Sequence, residues 1–359
     1  MLLAVGAELK NTFCLSKEKY AFLSHHIGDM ENAETLESFT EAITHYENMF
    51  RVEPSAIACD LHPDYLASRY ASQRACKDEI PLIQIQHHHA HLAACLADNQ
   101  WNAKEPVIGV ILDGTGLGTD DTIWGGEFLL GNYAGFERTY HLRNTPQPGG
   151  DAATRVPARM ALAHLWNSGI PWSHDLAPVQ YLNTEETNIL EKQLEKGINA
   201  PLTSSMGRLF DAAASLMGIR QSVNYEAQAA IELEALCAEE ESGFYPFEMQ
   251  DSIIDPTPLW EALISDIQKK IPTTTMAARF HNSVIEMILS VVNEMHQKNG
   301  IRTVALSGGV WQNMYLLDHS VRRLETNGYR VFWHKHVPTN DGGIALGQIM
   351  IAMQAIKKI

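Results

Sequence analysis

The sequence predicts an α/β protein of two lobes, each built on a mixed five-stranded sheet with helices on its faces, and a helical insertion in the second lobe. Two observations predict this class. In each half, three strand-like runs joined by short turns precede alternating helix and strand patterns, and hairpins followed by β-α-β crossovers give a mixed sheet. The same order of patterns then begins again at Val107. With 45% apolar residues among 359, the chain can bury a core in both lobes.

The first predicted lobe covers residues 1–103. It opens with LLAVGAELKNTFCLS, which folds back on itself, and continues with the strand-like run YAFLSHHIG. A helix follows, because in TLESFTEAITHYENMFRV the apolar residues Leu36, Phe39, Ile43 and Tyr46 recur at helical spacing. The strand SAIACDL, the helix DYLASRYASQRA and the strand LIQIQ come next, and the last helix of the lobe begins in a cluster of histidines.

The second predicted lobe covers residues 104–359. Its three antiparallel strands are VIGVILDGTGLG, TIWGGEFLLGNY and GFERTYHL, separated by glycine turns. A mostly helical insertion occupies about residues 150–245. The helix MAARFHNSVIEMILSVVNEMHQK, the strand TVALSGG, the helix VWQNMYLLDHSVRRLETN, the strand YRVFWH and the closing helix DGGIALGQIMIAMQAI complete the repeat.

This order of elements is that of the actin-like (ASKHA) fold, in which two RNase H-like lobes arose by duplication and face each other across a cleft. Sugar kinases and Hsp70 chaperones share that layout. The fold therefore does not fix the function, which has to be read from the site.

Charge and cysteine content restrict the partners and the compartment. The net charge is −16, so nucleic acid is not an expected partner, because neutralising phosphates needs a basic face. The five cysteines are scattered and form no CxxC pair, which favours a reducing compartment over a disulfide framework. Glu8 and Lys10 interrupt the early apolar run, and no run is long enough to span a bilayer. We expect a cytoplasmic protein with no membrane partner.

Four histidines fall within five positions where the strand LIQIQ gives way to a helix. His87 and His91 are four residues apart, so on a helix they share a face and can grip one metal ion. A solvated histidine cluster is the alternative for this stretch alone. For His88 and His89, which point elsewhere, packing, support of a ligand or solvent exposure is the expectation.

Two carboxylates are expected to complete the metal site. Asp341 begins the closing helix, which is the counterpart of the histidine helix in the repeat, and related helix starts face each other across the cleft. Asp113 ends the first strand of the second lobe. Two imidazoles and two carboxylates suit iron, manganese or zinc, with iron or zinc as the expected ion. Asp341 as a simple helix cap remains the alternative.

Glycine turns at the same sheet edge predict a phosphate site. DGTGLGTDD carries Gly114 and Gly116, and SGG carries Ser307, Gly308 and Gly309 between a strand and a helix, where free amides favour an anion. Together with DGG at Asp341 they favour a nucleotide or acyl phosphate between the lobes. In the insertion, Asp211 lies near the start of an amphipathic helix. Glu232 lies on a second helix, where a solvated face is the favoured interpretation of that stretch alone.

The motifs taken in order resemble those of a known family. They are AVGAELKNTFCL, HIGDMEN, DLHPDYLASRYA, QHHHAHLAACLADN, LDGTGLGTDDTIWGGEFL, PGGDAATRVPARMALA, GRLFDAAASLMGI, YEAQAAIELE, LSGGVWQNMYL and NDGGIALGQ. Over essentially all 359 residues the chain resembles the C-terminal domain of the HypF family, the carbamoyltransferases of nickel–iron hydrogenase maturation. That domain is similar to the tRNA-modifying enzyme TsaD and to antibiotic O-carbamoyltransferases.

The resemblance implies a set of site residues. The family's metal ligands fall on His87, His91, Asp113 and Asp341. Its nucleotide-contacting asparagine falls on Asn313, which follows Gly308 and Gly309, and its helix aspartate and ribose-side glutamate match Asp211 and Glu232. The sequence departs from the TsaD pattern before Glu232, where AQA replaces Gly-Gly-Pro.

The resemblance also implies chemistry and partners. A YrdC-like domain makes carbamoyl-adenylate from carbamoyl phosphate and ATP, and a domain of the present kind moves the carbamoyl group to the C-terminal cysteine of HypE, releasing AMP. The YrdC-like and acylphosphatase domains of a complete HypF have no counterpart in these motifs. The chain alone is therefore not expected to make the adenylate.

The identity of the catalytic groups is left open at this stage. Because the resemblance implies that the nucleophile comes from HypE, no internal nucleophile is required, and the general base is unassigned. Asp113 and Lys10 are the candidates for a direct catalytic role. Two alternatives to carbamoyl transfer are a sugar-kinase-type phosphotransferase on the same fold and a non-catalytic module that only binds partners.

Overall fold

The computed structural model describes residues 1–101 and 104–356, and its first half forms a five-stranded sheet with three helices. The elements are β1 (Leu2–Ala4), β2 (Cys14–Lys17), β3 (Tyr20–Leu23), α1 (Ala33–Phe50), β4 (Ala56–Asp60), α2 (Leu66–Asp78), β5 (Leu82–Ile85) and α3 (His87–Asp98). The strand order is β3-β2-β1-β4-β5. The first three strands form an antiparallel meander, and β4 and β5 run parallel to β1, as the sequence pattern predicts.

Helix α1 shows why the predicted elements form where they do. The side chain of Asn32 accepts a hydrogen bond from the Thr35 amide and so caps the first turn. Phe39 and Ile43 are fully buried and belong to the apolar cluster on that face of the first sheet. The helix ends at Phe50, and the left-handed conformation of Arg51 (φ 51°) caps it before the chain turns towards β4.

The second half contains a larger sheet and most of the helices. Its elements are β6 (Val107–Leu117), β7 (Ile123–Asn132), β8 (Gly135–Leu142), β9 (Thr145–Pro146), α4 (Asp151–Arg155), α5 (Pro157–Asn167), α6 (Ala177–Tyr181), α7 (Thr184–Lys196), β10 (Leu202–Thr203), α8 (Met206–Leu216), α9 (Gln228–Glu234), β11 (Glu248–Gln250), β12 (Ile253–Asp255), α10 (Thr257–Gln268), α11 (Thr273–Asn299), β13 (Thr303–Ser307), α12 (Met314–Thr326), β14 (Arg330–Phe332) and α13 (Ile344–Ile356). Short 3-10 turns at Gly309–Gln312 and Asp341–Gly343 precede α12 and α13.

The second sheet is wider than the sequence indicates. The five predicted strands form its centre in the order β8-β7-β6-β13-β14. In the described residues, β12 and β11 extend the β8 edge, and β10 pairs with both β7 and β9, which gives nine strands. The added strands are two or three residues long, which is too short for a period-two pattern to mark them in the sequence.

The predicted insertion is present as six helices, α4 to α9, among the described residues. Its apolar side chains are continuous with those of the second sheet, since Met160, Leu209 and Ile108 belong to one buried cluster. Among the helices of residues 1–101 and 104–356, none combines the length and the apolar character needed to cross a membrane.

The last helix of each half packs across the molecule. Gln348, on α13, makes two hydrogen bonds to Gly6 in the first lobe. Its side-chain Oε1 accepts from the Gly6 N–H at 2.9 Å, and its Nε2 donates to the Gly6 carbonyl at 3.0 Å. His89, on α3, bonds the carbonyl of Asn132 in the second lobe at 2.7 Å. The two helices touch, and side chains from both sheets share one apolar cluster around them.

The predicted limits of the two lobes, residues 1–103 and 104–359, remain predictions. Residues 102–103 and 357–359 lie outside the described part of the chain, so the boundary itself is not described. Helix α3 packs mainly on β6, β7 and β13 of the second half, and α13 packs mainly on the strands of the first half, so the two helices are exchanged between the halves.

A buried histidine should make stability depend on pH. Burial lowers the pKa of His164 to about 3, whereas the unfolded chain takes up a proton near the ordinary value of about 6.5. The contribution of His164 to the free energy of unfolding is therefore fully present above about pH 6.5 and is lost progressively as the pH falls towards 3. At about pH 5 the loss is about 2 kcal/mol, measurable by urea unfolding.

The variant His164→Phe tests this dependence, because it keeps a ring beside Trp260 without a titrating group. We expect the difference in unfolding free energy between about pH 8 and about pH 5 to shrink by up to about 2 kcal/mol. The exposed His26 gives the matched control, His26→Phe, which should leave that difference unchanged. An unchanged difference in His164→Phe would contradict the prediction.

Candidate metal and nucleotide site

Helix α3 begins at the carboxyl edge of the first sheet because the parallel strands β4 and β5 both end there. The side chain of Gln86 caps the helix by accepting a hydrogen bond from the His89 amide at 2.9 Å. All four histidines lie in the first turn and a half of α3 and are buried, with exposed fractions of 0 to 6%. The solvated-cluster alternative is therefore wrong.

Two imidazoles and two carboxylates converge on one point. Nε2 of His87 lies 3.4 Å from Oδ2 of Asp113 and 3.6 Å from Oδ1 of Asp341. Nε2 of His91 lies 3.2 Å and 3.5 Å from the same two oxygens. One ligand atom from each of the four residues lies within 4.8 Å of all the others, which fits a single cation.

The donor atoms are also free to bind an ion. Nε2 of His87, Nε2 of His91 and Oδ2 of Asp113 are buried without a hydrogen-bond partner, which is costly unless a ligand satisfies them. The other oxygen of Asp113 accepts the Gly309 amide at 2.9 Å, which fixes the carboxylate. Asp341 does not act as the cap, since Asn340 accepts the Gly342 amide instead.

Electrostatics keeps the carboxylates ionised. Burial opposes ionisation of Asp113, but the imidazoles of His87 and His91 outweigh it and hold the pKa of this carboxyl well below its ordinary value. The same balance lowers the pKa of Asp341. Burial likewise opposes protonation of His87, yet Asp60 and Asp341 raise its pKa well above the ordinary value. The two ionised carboxylates have the charge that a divalent cation requires, and a bound cation would take the place of the proton on Nε2 of His87.

Asp60 is a site residue that the sequence motifs did not reveal. It ends β4, is wholly buried, and its Oδ2 lies 2.8 Å from Nδ1 of His87. A carboxylate at this nitrogen fixes the tautomer that leaves Nε2 free for the metal. The available signal was an acid at the tip of the apolar strand SAIACDL, but pairing of β4 with β5 was needed to bring it to His87.

Asp60→Asn tests this supporting role. We expect metal affinity to fall by about 10- to 100-fold, because the charge that orients His87 and raises its basicity is lost. Competition with a chromophoric chelator measures the affinity. Asp64→Asn is the matched control, because Asp64 is exposed and pairs with Arg69. Equal affinities of Asp60→Asn and the parent chain would show that Asp60 does not support the ligand.

The other two histidines of the cluster are buried and stay outside the ligand set. Nδ1 of His88 lies 3.1 Å from the side-chain Nε2 of Gln86, and the imidazole of His88 packs near Trp124. Burial, with the charge of His87, lowers the pKa of His88 well below its ordinary value. His89 binds the Asn132 carbonyl. Both side chains are therefore packed in the interior, as one of the expectations for His88 and His89 had it, and neither is exposed to solvent.

A cavity of about 500 Å³ opens beside the four ligands. Asp113 and Asp341 form part of its wall, and Lys10 reaches it from the first lobe. Apart from Leu9, the remaining wall comes from the second lobe and the insertion. Four of the predicted nucleotide-binding residues line it: Gly114, Asp211, Gly309 and Asn313.

Two predicted nucleotide residues have packing roles instead. A Cβ on Gly116 would lie 2.6 Å from the His88 ring, so this glycine makes room for the histidines. Gly308 has φ 105°, a Cβ there would lie 2.3 Å from the Leu112 carbonyl, and its amide bonds Thr339. Neither residue lines the cavity.

Ser307 and Glu232 also lie away from the cavity. The Ser307 hydroxyl is fully buried and bonds Nε2 of His334 at 2.7 Å. The Glu232 carboxylate forms an ion pair with Arg220, whose Nε lies 2.8 Å from Oε2 of Glu232. The prediction that Glu232 binds the nucleotide is therefore wrong. Glu226 and Glu234 are the acids that reach the cavity from this segment.

Lys10 spans the cleft. Its ammonium forms an ion pair with Glu226 of the insertion, and its amide donates to Oδ1 of Asp29 at 2.7 Å. Lys10 and Arg208 are the cationic side chains among the described residues that line the cavity, and Arg208 is already 2.7 Å from Asp211. Lys10 is therefore the cationic side chain that a phosphate in this cavity would pair with.

Comparison with known proteins gives a consistent result. Residues 1–98 match the HypF Kae1-like domain, and residues 109–348 match the second subdomain of the carbamoyltransferase Kae1-like domain. Carbamoyltransferase HypF2 of Cupriavidus necator is 37% identical over 98% of this chain and 46% of that protein. A HypF homolog from the same organism is 35% identical over 98% of this chain and 91% of its own length.

A solved structure agrees with these matches. Full-length HypF in a phosphate- and nucleotide-bound form is 40% identical, with a TM-score of 0.93 over 100% of this chain and 56% of that one. The chain thus spans about half the length of HypF2, with 46% covered. The resemblance seen in the motifs and the predicted two-lobed fold are confirmed, and the chain belongs to the HypF carbamoyltransferase family.

Proposed function

We propose that this chain transfers the carbamoyl group of carbamoyl-adenylate to the C-terminal cysteine of a HypE-type partner at a metal–nucleotide site. One observation carries the proposal: two of the four convergent ligands, Asp113 and Asp341, are part of the wall of the same cavity that Gly114, Asp211 and Asn313 line. Family membership supports the reaction class, and the bound phosphate and nucleotide of the related HypF structure support the ligand class.

The ligand set determines what an ion would contribute. His87, His91, Asp113 and Asp341 would hold a transition metal ion, with iron or zinc favoured by the mixed nitrogen and oxygen donors. When bound, such an ion supplies Lewis acidity towards an oxygen of the carbamoyl or phosphate group.

The chain's own residues bind and orient the substrate. Gly114 leaves open space where a side chain would stand, which lets a phosphate approach the backbone. The ammonium of Lys10 offsets phosphate charge once it leaves Glu226. Asp211, buried in the middle of α8, offers a carboxylate to a ribose hydroxyl, and burial raises its pKa despite Arg208.

The nucleophile is proposed to come from the partner. No cysteine is among the described residues that line the cavity. Cys14 and Cys59 are buried, and burial raises the pKa of each thiol to about 12. In the proposed transfer, the partner's thiolate sulfur attacks the carbamoyl carbon, the bond from that carbon to the phosphate oxygen breaks, and AMP leaves with the electron pair.

Transfer to a HypE-type partner tests the proposal directly. The metal-loaded chain, chemically prepared carbamoyl-adenylate and the partner should together give AMP and add one carbamoyl group to the partner's terminal cysteine, as detected by mass spectrometry. Omitting the chain should abolish the product. Equal product without the chain would overturn the enzyme assignment. ATP-dependent phosphorylation of a sugar in place of this reaction would favour the phosphotransferase, and partner binding without turnover would favour a binding module.

A further inference from the structure

Asn313 is held from both sides by hydrogen bonds. Its Oδ1 accepts the Leu316 amide at 2.8 Å, which caps α12, and its Nδ2 lies 2.9 Å from Nε2 of His281. His281 sits on α11, is fully buried, and does not line the cavity. Asn313 does line it and is 8% exposed.

Backbone groups at both ends set the direction of this chain of hydrogen bonds. The Ala277 carbonyl can only accept, so Nδ1 of His281, 2.8 Å away, carries the proton, and Nε2 is an acceptor. Sγ of Cys237, 3.1 Å from Nδ1, is then a second, weaker acceptor of that proton. The Leu316 amide can only donate, so Oδ1 of Asn313 is its acceptor and Nδ2 is the donor to His281. A flipped Asn313 amide would face acceptor with acceptor and donor with donor.

The surroundings of His281 preserve this arrangement. Burial lowers the pKa of His281 to about 4, so the ring is neutral near neutral pH and Nε2 keeps its lone pair. The rings of Phe210 and Tyr315 lie 5.2 and 5.3 Å from the imidazole, edge to face. Oε1 of Glu234 accepts the Met314 amide at 2.7 Å and fixes the start of α12 next to Asn313.

We propose that His281 is a positioning residue that fixes the orientation of the Asn313 amide, so that the second N–H of Nδ2 is presented to a nucleotide in the cavity. This inference rests on the proposed function, since it needs a nucleotide in the cavity. His281 acts through Asn313 and does not touch the ligand. Nothing in the motif LSGGVWQNMYL points to it, because His281 comes from another helix.

Calorimetric titration of the metal-loaded chain with ADP tests the proposal. Asn313→Ala and His281→Leu should each weaken ADP binding by about tenfold, the value of one lost hydrogen bond to a charged or polar ligand group. His281→Gln should bind ADP within about twofold of the parent, because its amide can accept from Asn313 and donate to Ala277. In the Asn313→Ala background, His281→Leu should have no further effect.

Controls separate positioning from general damage. Metal content and thermal midpoint are measured for each variant, and His281→Met, which fills a similar volume without an acceptor, replaces His281→Leu if that variant fails to fold. Parent-like ADP binding by His281→Leu or His281→Met would overturn the proposal. An equal loss in the presence and absence of Asn313 would also overturn it. Failure of the parent chain to bind ADP would instead overturn the nucleotide site, and this inference with it.

Discussion

His91→Ala is expected to abolish stoichiometric metal binding. Nε2 of His91 is one of the four donors and lies 3.2 Å from Oδ2 of Asp113. Removing it leaves three donors and a space that water can enter beside the buried carboxylates. Because loss of a residue that merely supports a ligand costs about 10- to 100-fold in metal affinity, loss of a ligand should cost more than about 100-fold. Elemental analysis after dialysis against a chelator measures this, and carbamoyl transfer should fall with it.

The matched control for this experiment lies on the same helix. His89 is buried on α3, bonds the Asn132 carbonyl, and does not belong to the ligand set. His89→Gln keeps a donor for that carbonyl and should retain the metal at parent stoichiometry. If His91→Ala also retained the metal at parent affinity, His87, Asp113 and Asp341 would not need a fourth ligand from α3, and the assigned site would be wrong.

Gly347→Ala should destabilise the whole fold. A Cβ at this position of α13 would lie 1.9 Å from the carbonyl oxygen of Ala90 and 2.8 Å from the amide nitrogen of Ala94. Both are backbone atoms of α3, so no side chain can rotate away and the two helices must separate. Overpacking of this kind costs about 1–3 kcal/mol and occasionally more, and we expect about 3 kcal/mol or more here.

Urea unfolding and metal titration together test the Gly347 prediction. The loss of stability should be accompanied by weaker metal binding, since α3 carries His87 and His91 and α13 follows Asp341 directly. Gly135→Ala is the control, because a Cβ there meets nothing within 4 Å. Unfolding free energies of Gly347→Ala and the parent that agree within about 0.5 kcal/mol would refute the close contact.

The sequence predicted the parts of the site that depend on local spacing or on the repeat. His87 and His91 follow from the helical period, and Asp341 follows from the correspondence between the two halves. Asp60 and His281 were missed because each contacts its partner, His87 or Asn313, through strand pairing or helix packing between segments distant in sequence. Tertiary contacts of this kind leave no periodic signal in one sequence.

The misassigned Glu232 follows a local departure from the family pattern. Ala227 adopts a left-handed conformation (φ 59°) immediately before α9, which is uncommon for a non-glycine residue. It opens the AQA at which this sequence departs from the TsaD pattern, and the Glu232 assignment came from that resemblance. Glu226 and Glu234 line the cavity, while Glu232 pairs with Arg220.

The exchange of α3 and α13 has a mechanical consequence. If one lobe rotated against the other, this close backbone contact at Gly347 would act as a pivot, and points near a pivot travel least. His87, His91 and Asp341 lie at or next to the starts of these two helices, whereas Lys10 and Glu226 join the first lobe to the insertion. Breaking that ion pair would open the cavity to a bulky substrate without separating α3 from α13.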